Sequence, residues 1–229
     1  MKLSIKIQGG LGNQLFQWAH GVFLETLGAQ VFYDRTFYEN NNGTEIIPNR
    51  NFCLDKILKV NLPQNNGKDI LAIKGYWQED NNIERIKDNI IKSVKKSPIK
   101  TIEGSCSIHV RRGDYVILKE IYHNLDKHYY IKSLDRINPS GPIYIFSDDI
   151  NWCKENIDIK NAIYSVNNSE IEDFQLMRSC NHNIISNSTF SWWAAWLNSN
   201  ENKKIIQPKL WFKKKDHGKL LNPSWMIEM

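Results

Sequence analysis

Short apolar runs alternate with segments of helical periodicity from residue 105 to residue 207, and this alternation constrains the fold more than any other feature. The strands are predicted at 105–110, 142–147, 162–166, 183–186 and 204–207, and the helices at 126–137, 171–180 and 191–198. Strands that are separated by helices pair in parallel, with helices on both faces of the sheet. The sequence therefore predicts an α/β fold whose ligands bind at the carboxyl ends of the strands, near the chain reversal.

A smaller unit of the same kind precedes this region. A strand at 3–8 ends in a glycine turn, and a helix at 14–27 stops at Gly28 before a strand at 31–33. A short strand or loop at 74–78 and a polar helix at 83–95 follow. The segment 95–104 is rich in Lys, Ser, Pro and Gly, which is typical of a boundary. We therefore predict two domains, 1–100 and 101–229.

Composition narrows the function classes. Apolar residues make up 41% of the 229, which is enough for a core. The net charge is only +5, without the interleaving of basic and aromatic residues that nucleic-acid binding uses, so no nucleic-acid partner is expected. The four Cys form no C-x-x-C pair, and the chain starts with no signal peptide, so we expect reduced thiols in a cytoplasmic protein. We interpret most of the eight Trp as core packing residues, although surplus aromatic residues also line carbohydrate-binding sites.

The first motif is the turn Gly9-Gly10-Leu11-Gly12-Asn13-Gln14 between a strand and a helix. Glycines let the backbone approach a ligand, and the following helix directs its N–H groups at an anion. Asp34 lies 22 residues beyond Gly12, as in dinucleotide-binding folds, but that pattern needs a third glycine where Leu15 stands. An anion site and an ordinary turn both remain open for this motif.

The second motif, His109-Val110-Arg111-Arg112-Gly113-Asp114-Tyr115, follows a predicted strand. An arginine fork gives bidentate hydrogen bonds to phosphate oxygens. Adjacent side chains of a strand point to opposite faces, so we expect one arginine to meet a ligand and the other to pair with an acid such as Asp114. A structural cluster of ion pairs is the alternative.

The third motif, Asn187-Ser188-Thr189-Phe190-Ser191-Trp192-Trp193, joins a buried strand to a helix. Hydroxyls and backbone N–H groups at a helix start form an anion cradle, although Ser191 or Thr189 could simply cap the helix. Two cradles and an arginine pair, each at a strand end, together point to a nucleoside diphosphate.

The fourth motif, Phe146-Ser147-Asp148-Asp149, also follows a strand. Two adjacent acids could hold a divalent metal on a nucleotide sugar. Capping of the next helix, with Trp152 and Cys153 on its buried side, is the interpretation that we favour.

Together the four motifs resemble, in the same order, those of the α-1,2-fucosyltransferases of glycosyltransferase family 11. Gly75-Tyr76-Trp77-Gln78 resembles a further family stretch, which usually has Phe where Trp77 stands, and Glu172-Asp173-Phe174-Gln175-Leu176-Met177, Cys180 and His182 also fit. The resemblance runs nearly end to end. This chain is shorter than typical members, with the shortfall mainly in the first domain and the loops, and it shows no transmembrane anchor.

The resemblance implies a GT-B-like fold with two facing Rossmann-type domains of mostly parallel sheets, the N-terminal one being small and on the acceptor side. It implies GDP-fucose as the donor, bound by the C-terminal domain, inversion at the anomeric carbon and no metal or other cofactor. The acceptor would be a glycan or a lipid-linked oligosaccharide, with peripheral membrane contact as one option for a bacterial enzyme.

The expected donor-binding residues combine the motifs with this resemblance. Arg111 is expected on the donor phosphates because α-1,6-fucosyltransferases share the His-x-Arg-Arg stretch, and Asn13 because protein O-fucosyltransferases share the Gly-x-x-Gly-Asn stretch. We assign Asp173 to guanine, with a plain helix surface as the alternative. The full set is Gly10, Gly12, Asn13, His109, Arg111, Asp173, Asn187, Ser188 and Thr189.

Arg111 is also expected to act in catalysis, by stabilising charge on the leaving phosphate. Three residues after the arginine pair are candidates for the general base: Asp114, Glu120 and His123. The rival functions are a metal-dependent transferase of another fold, a nicotinamide oxidoreductase and a non-catalytic sugar-binding module.

Overall fold

The computed structural model describes residues 1–40, 43–64, 69–78, 82–213 and 223–229. These residues divide into two compact units, of which the first spans Met1–Lys96 and the second begins at Ser97. Within them every pair of neighbouring strands in the two sheets runs parallel. The α/β class with two parallel sheets, expected of a GT-B-like protein, is confirmed.

The first unit has a three-stranded sheet in the order β2-β1-β3. Its strands are β1 (Lys2–Lys6), β2 (Gln30–Asp34) and β3 (Leu71–Ile73), and its helices are α1 (Leu11–Thr26), α2 (Leu54–Ile57), α3 (Asn82–Arg85) and α4 (Lys87–Ser93). The apolar face predicted for the first helix is confirmed, since Leu15, Trp18, Ala19 and Val22 are all buried on α1. Gly28 ends α1 with a φ of +83°, as the sequence predicts.

The second unit has a six-stranded sheet in the order β6-β5-β4-β7-β8-β9. The strands are β4 (Ile102–Val110), β5 (Ile143–Ser147), β6 (Ile163–Tyr164), β7 (Cys180–Ile184), β8 (Ile205–Gln207) and β9 (Ile227–Glu228). The helices are α5 (Gly113–Ile117), α6 (Lys127–Ile137), α7 (Ile150–Asn156), α8 (Glu170–Ser179) and α9 (Thr189–Trp196). Among the residues with described positions, no helix is long and apolar enough to cross a membrane.

Some element boundaries differ from the prediction. The strand β4 begins at Ile102, so the end of the predicted boundary segment 95–104 belongs to the sheet. The predicted helix 83–95 is two short helices, α3 and α4. The strand predicted at 183–186 is β7, which ends at Ile184, so Ser186 already lies in the loop.

The two faces of β4 are buried for different reasons. Cys106, Ile108 and Val110 belong to an apolar core, whereas Ser105 and Ser107 on the opposite face are buried and polar. The polar face is satisfied by hydrogen bonds to β7: the Asn181 backbone N–H donates to the hydroxyl of Ser105, and the Asn183 side chain donates to that of Ser107. Because side chains alternate along a strand, His109 lies on the polar face.

The point of chain reversal lies between β4 and β7. From β4 the chain continues to β5 and β6 on one side, and it then returns to form β7 and β8 on the other side. In open parallel sheets this reversal opens a crevice at the carboxyl ends of the strands, and ligands bind there. The loops after β4, β5 and β7 carry three of the four sequence motifs.

Candidate active site

His109 joins the two strand ends at the chain reversal. Its Nδ1 lies 2.8 Å from the hydroxyl of Ser186, in the loop after β7, and its ring centroid lies 5.6 Å from that of Phe190. Burial lowers the pKa of His109 to about 4, Asp148 opposes this shift, and the cation of Arg111 adds to it. The imidazole is therefore neutral near pH 7 and links β4 to the loop after β7.

Arg111 forms ion pairs with two carboxylates. Its Nη2 contacts Oδ1 of Asp114, and its Nη1 lies 2.6 Å from Oδ2 of Asp148. The guanidinium carbon lies 5.2 Å from the ring centroid of Tyr115, in cation–π range. Less than a fifth of the Arg111 side chain is exposed. Asp114 pairs with an arginine as predicted, but with Arg111, the arginine assigned to the donor, and Asp148 is a partner that the sequence did not reveal.

Arg112 also pairs with an acid, which corrects the expectation that only one arginine would do so. Its Nε lies 3.1 Å from Oδ2 of Asp149, and its guanidinium carbon lies 4.0 Å from the ring centroid of Trp152. The alternation of side chains holds inside a strand, but β4 ends at Val110, so it does not govern the two arginines. The alternative of an ion-pair cluster describes this part of the structure.

The two adjacent acids have separate roles. Asp149 caps α7, because its Oδ1 accepts the backbone N–H of Trp152 at 3.1 Å, and this confirms the capping interpretation. Asp148 does not cap the helix. Its Oδ1 accepts the backbone N–H of Arg112 at 2.8 Å while its Oδ2 holds Arg111.

Asn187 fixes the loop that follows the arginines. Its Nδ2 donates to the carbonyl of His123 at 2.8 Å and to that of Trp211 at 2.9 Å. Its own carbonyl accepts the hydroxyl of Tyr115 at 3.1 Å, and the ring of Tyr115 stacks on that of Tyr122 at 3.7 Å. The side-chain amide of Asn187 thus positions backbone, and its predicted contact with the donor stays a prediction.

Ser188 occupies the N-cap position of α9, so the alternative in which Ser191 or Thr189 caps this helix is wrong. Ser188 caps without a side-chain hydrogen bond, and its carbonyl accepts the hydroxyl of Ser191 at 3.2 Å. Trp192 and Trp193 are fully buried and fix this helix in the core. The packing interpretation is confirmed for these two tryptophans and for the buried Trp18 and Trp196.

The three candidate bases lie in different surroundings. Asp114 is in the ion pair with Arg111. Glu120 is exposed in the turn after α5, and His123 is half-buried, with its backbone N–H donating to the carbonyl of Trp211 at 3.1 Å. The structure thus places Asp114 beside Arg111, the residue predicted to bind phosphate, and connects His123 to the loop of Asn187.

Asp173 joins α8 to the loop that precedes it. Its Oδ1 accepts the hydroxyl of Ser165 and, at 3.1 Å, the amide of Asn168. Burial raises its pKa, and both hydrogen bonds oppose that shift. These contacts are structural, and recognition of guanine by Asp173 stays a prediction.

The glycine turn of the first unit is held by amide side chains. Gly9 has a φ of +82°, and its carbonyl accepts the Tyr38 hydroxyl at 2.9 Å and the Gln14 side chain at 3.1 Å. The Oδ1 of Asn13 accepts a hydrogen bond from Nε2 of Gln78 at 2.8 Å.

The glycines that follow lie at the start of the first helix. Gly10 is the N-cap residue of α1, and Gly12 is buried in its first turn. The predicted roles of Gly10, Gly12 and Asn13 in donor binding therefore stay predictions.

Two glutamines of α1, Gln14 and Gln17, are buried in this unit, which the sequence did not predict. The Oε1 of Gln14 accepts the backbone N–H of Cys53 at 2.9 Å, and that of Gln17 accepts the backbone N–H of Gln8 at 2.9 Å. Gln17 also donates to the carbonyl of Gly75 at 3.1 Å. A sequence pattern that could have predicted these contacts is a polar residue at a helix position whose neighbours are apolar, since such a residue needs a hydrogen-bond partner when it is buried.

Comparison with known proteins identifies the family. The family model described as "Glycosyl transferase family 11" matches residues 71–228, which include the whole sheet of the second unit but not the glycine turn. No solved structure matches the chain.

Curated relatives agree with this match. The O-antigen biosynthesis glycosyltransferase WbnK of Escherichia coli is 38% identical over 54% of this chain and 44% of its own length. The alpha-1,2-colitosyltransferase of the same species is 29% identical over 92% of each chain. The galactoside alpha-(1,2)-fucosyltransferase 2 of Mus musculus is 38% identical over 39% of this chain and 29% of its own. The chain thus spans less than half the length of two of these three relatives.

Proposed function

The chain belongs to glycosyl transferase family 11, and on that premise we propose that it moves L-fucose from GDP-fucose to a glycan hydroxyl, with inversion at the anomeric carbon. The acceptor position that we propose is the 2-hydroxyl of a terminal galactose, on a free glycan or a lipid-linked oligosaccharide. The linkage is supported by the names of two relatives, a colitosyltransferase and a fucosyltransferase that both form α-1,2 linkages.

The observation that carries the proposal is the position of Arg111. It lies directly after β4, beside the chain reversal, where ligands of parallel sheets bind. A guanidinium fork suits the oxygens of a diphosphate. On the other side of the reversal, Ser188 and Thr189 begin α9, whose first backbone N–H groups suit an anion.

In the reaction that we propose, the acceptor oxygen attacks C1 of fucose, the bond from C1 to the phosphate oxygen breaks, and its electron pair leaves with GDP. Negative charge grows on the leaving phosphate, so donors that are already in place there lower the barrier. Arg111 and the N–H groups at the start of α9 are the donors that we propose.

We further propose that the reaction needs no metal. Support comes from the two acids that could have held one, since Asp148 binds Arg111 and the backbone of Arg112, and Asp149 caps α7.

The attacking hydroxyl must also lose a proton. Asp114, Glu120 and His123 remain the candidates for its acceptor, and a loose transition state can use water instead. Asp114 is held by Arg111, so its contribution would require the ion pair to loosen when the donor binds. The pH–rate profiles of the three alanine variants separate them, because loss of the true base removes one limb of the profile.

A transferase for colitose is the second candidate function. It is favoured by the relative that is similar over 92% of this chain, whose name is alpha-1,2-colitosyltransferase. Fucose and colitose differ in the hydroxyl on C3, so a site that hydrogen-bonds this hydroxyl discriminates between them strongly.

The test is a comparison of donors in binding and in turnover. Calorimetry with GDP, GDP-fucose and NAD should give binding of the first two only. Incubation with the GDP-activated forms of fucose and colitose, and with acceptors that end in β-galactose, should give an α-1,2-linked product by NMR, with full activity in EDTA. Absence of GDP binding at millimolar concentration would contradict the proposal, and preference for colitose would replace the donor.

A further inference from the structure

Asp148 links the loops after β4 and β5 through a single carboxylate. Its Oδ2 lies 2.6 Å from Nη1 of Arg111, and its Oδ1 lies 2.8 Å from the backbone nitrogen of Arg112. Charge-assisted hydrogen bonds of this kind are short and directional. The carboxylate therefore fixes both the course of the loop and the direction of the Arg111 guanidinium.

Gly113 provides the space for this arrangement. A Cβ atom added to Gly113 would lie 2.6 Å from Oδ2 of Asp148 and 3.2 Å from its carboxylate carbon. Any residue other than glycine would therefore push the carboxylate aside. The glycine of the His-x-Arg-Arg-Gly-Asp stretch thus serves the contact between Asp148 and Arg111.

The carboxylates and the proposed ligand would compete for the same donors. A guanidinium has five N–H donors, and the pairs with Asp114 and Asp148 use two of them. Carboxylate and phosphate oxygens both accept from a guanidinium in the same bidentate manner. A diphosphate that binds Arg111 would thus meet a cation that already has two counter-anions.

On the premise of the proposed function, we propose that Asp148 is a positioning residue, which directs Arg111 and competes with the diphosphate for its guanidinium. Two effects follow. Asp148 orients Arg111 for transfer, which raises turnover, and it weakens the binding of GDP, which favours release of the product.

The test is the substitution Asp148→Asn, which removes the charge and keeps an oxygen for the Arg112 backbone. We expect the Kd for GDP, measured by calorimetry, to fall about two- to fivefold, as expected for removal of a partly exposed ion pair. We expect kcat to fall about tenfold because Arg111 loses its orientation. If Asp148 only supported the fold, Asp148→Asn would instead raise the Kd for GDP, since a disordered site binds GDP more weakly.

A second variant moves the carboxylate without removing its charge. Gly113→Ala places a methyl group against the carboxylate of Asp148, which must turn away and loosen its contacts with Arg111 and the Arg112 backbone. Like Asp148→Asn, it should lower the Kd for GDP and lower kcat. Asp135→Asn, an exposed acid on α6, is the control with the same change of net charge, and it should leave both values unchanged.

The outcomes separate the two proposals. If the wild-type protein does not bind GDP, the proposed function is overturned, and this inference with it. If the wild type binds GDP and Asp148→Asn binds it equally or more weakly, or turns over as fast as the wild type, the inference alone is overturned. Thermal unfolding of each variant confirms that the compared proteins are folded.

Discussion

The stability of the second unit should depend on pH through His109. This imidazole is buried and bonded to Ser186 across the chain reversal, and its pKa in the folded protein is about 4 instead of the usual 6.5. The unfolded chain therefore binds more protons between these two values, so the free energy of unfolding falls as the pH falls from about 6.5 to 4.

The size of the effect follows from the two pKa values. The difference between the usual 6.5 and about 4 corresponds to about 3 kcal/mol at most. Between pH 8 and pH 5, where the change is incomplete, about 2 kcal/mol is expected. The assay is urea unfolding at a series of pH values for the wild type and for His109→Asn, whose side chain does not titrate. The difference in stability between the two proteins should shrink by this amount as the pH falls.

A matched control is available in the same unit. His128 is 71% exposed at the start of α6, and its ion pair with Asp126 is equally exposed and screened by water, so His128→Asn should change the free energy of unfolding little. If His109→Asn also keeps the full dependence on pH, the reasoning from burial is wrong, and other groups carry the acid sensitivity.

Further predictions concern the loops around the site. Arg111→Ala should lower kcat/KM by about 10²–10³ in steady-state assays, as does removal of one oxyanion donor, and Arg111→Lys should restore little because it lacks the fork. Asn187→Ala should destabilise the fold by about 1–3 kcal/mol in urea unfolding, because the carbonyls of His123 and Trp211 lose a donor. Asn187→Asp should destabilise the fold more than Asn187→Ala, and equal destabilisation by the two variants would contradict this explanation. Asp149→Ala should cost about 1 kcal/mol, measured by thermal unfolding, mainly through the lost cap of α7, because the ion pair with Arg112 is partly exposed and adds little.

The parallel sheet and the location of the motifs could be predicted because both depend on local patterns. Alternation of strands and helices fixes a parallel sheet, and motifs that directly follow strands must lie at its carboxyl edge. The strands β3 and β9 contain three and two residues, too few for a pattern of period two, and were not predicted. The equally short β6 and β8 were predicted because each follows a helical segment, where the alternation of strands and helices requires a strand.

The partners within the site could not be predicted, because they come from distant parts of the sequence. Asp148 lies 37 residues after Arg111, and only the pairing of β4 with β5 brings them together. The contact of Asn187 with the carbonyl of His123 depends in the same way on the fold of the intervening chain. Polar side chains at strand ends indicate where a ligand binds, but the hydrogen bonds that they form require the three-dimensional structure.

The charges of these partners change how donor binding must be understood. The sequence predicted one arginine on the ligand and the other paired with an acid, but Asp114, Asp148 and Asp149 pair with both arginines, so the cluster has one more acid than base. Net charge cannot then attract a diphosphate to this cluster. The affinity for the proposed diphosphate must come from hydrogen-bond donors that point at it. These are the guanidinium of Arg111, once a carboxylate has released it, and the N–H groups at the start of α9. On the proposed function, such a site should release GDP more readily than a purely cationic one, because the carboxylates of Asp114 and Asp148 compete for Arg111 as soon as the transfer is complete.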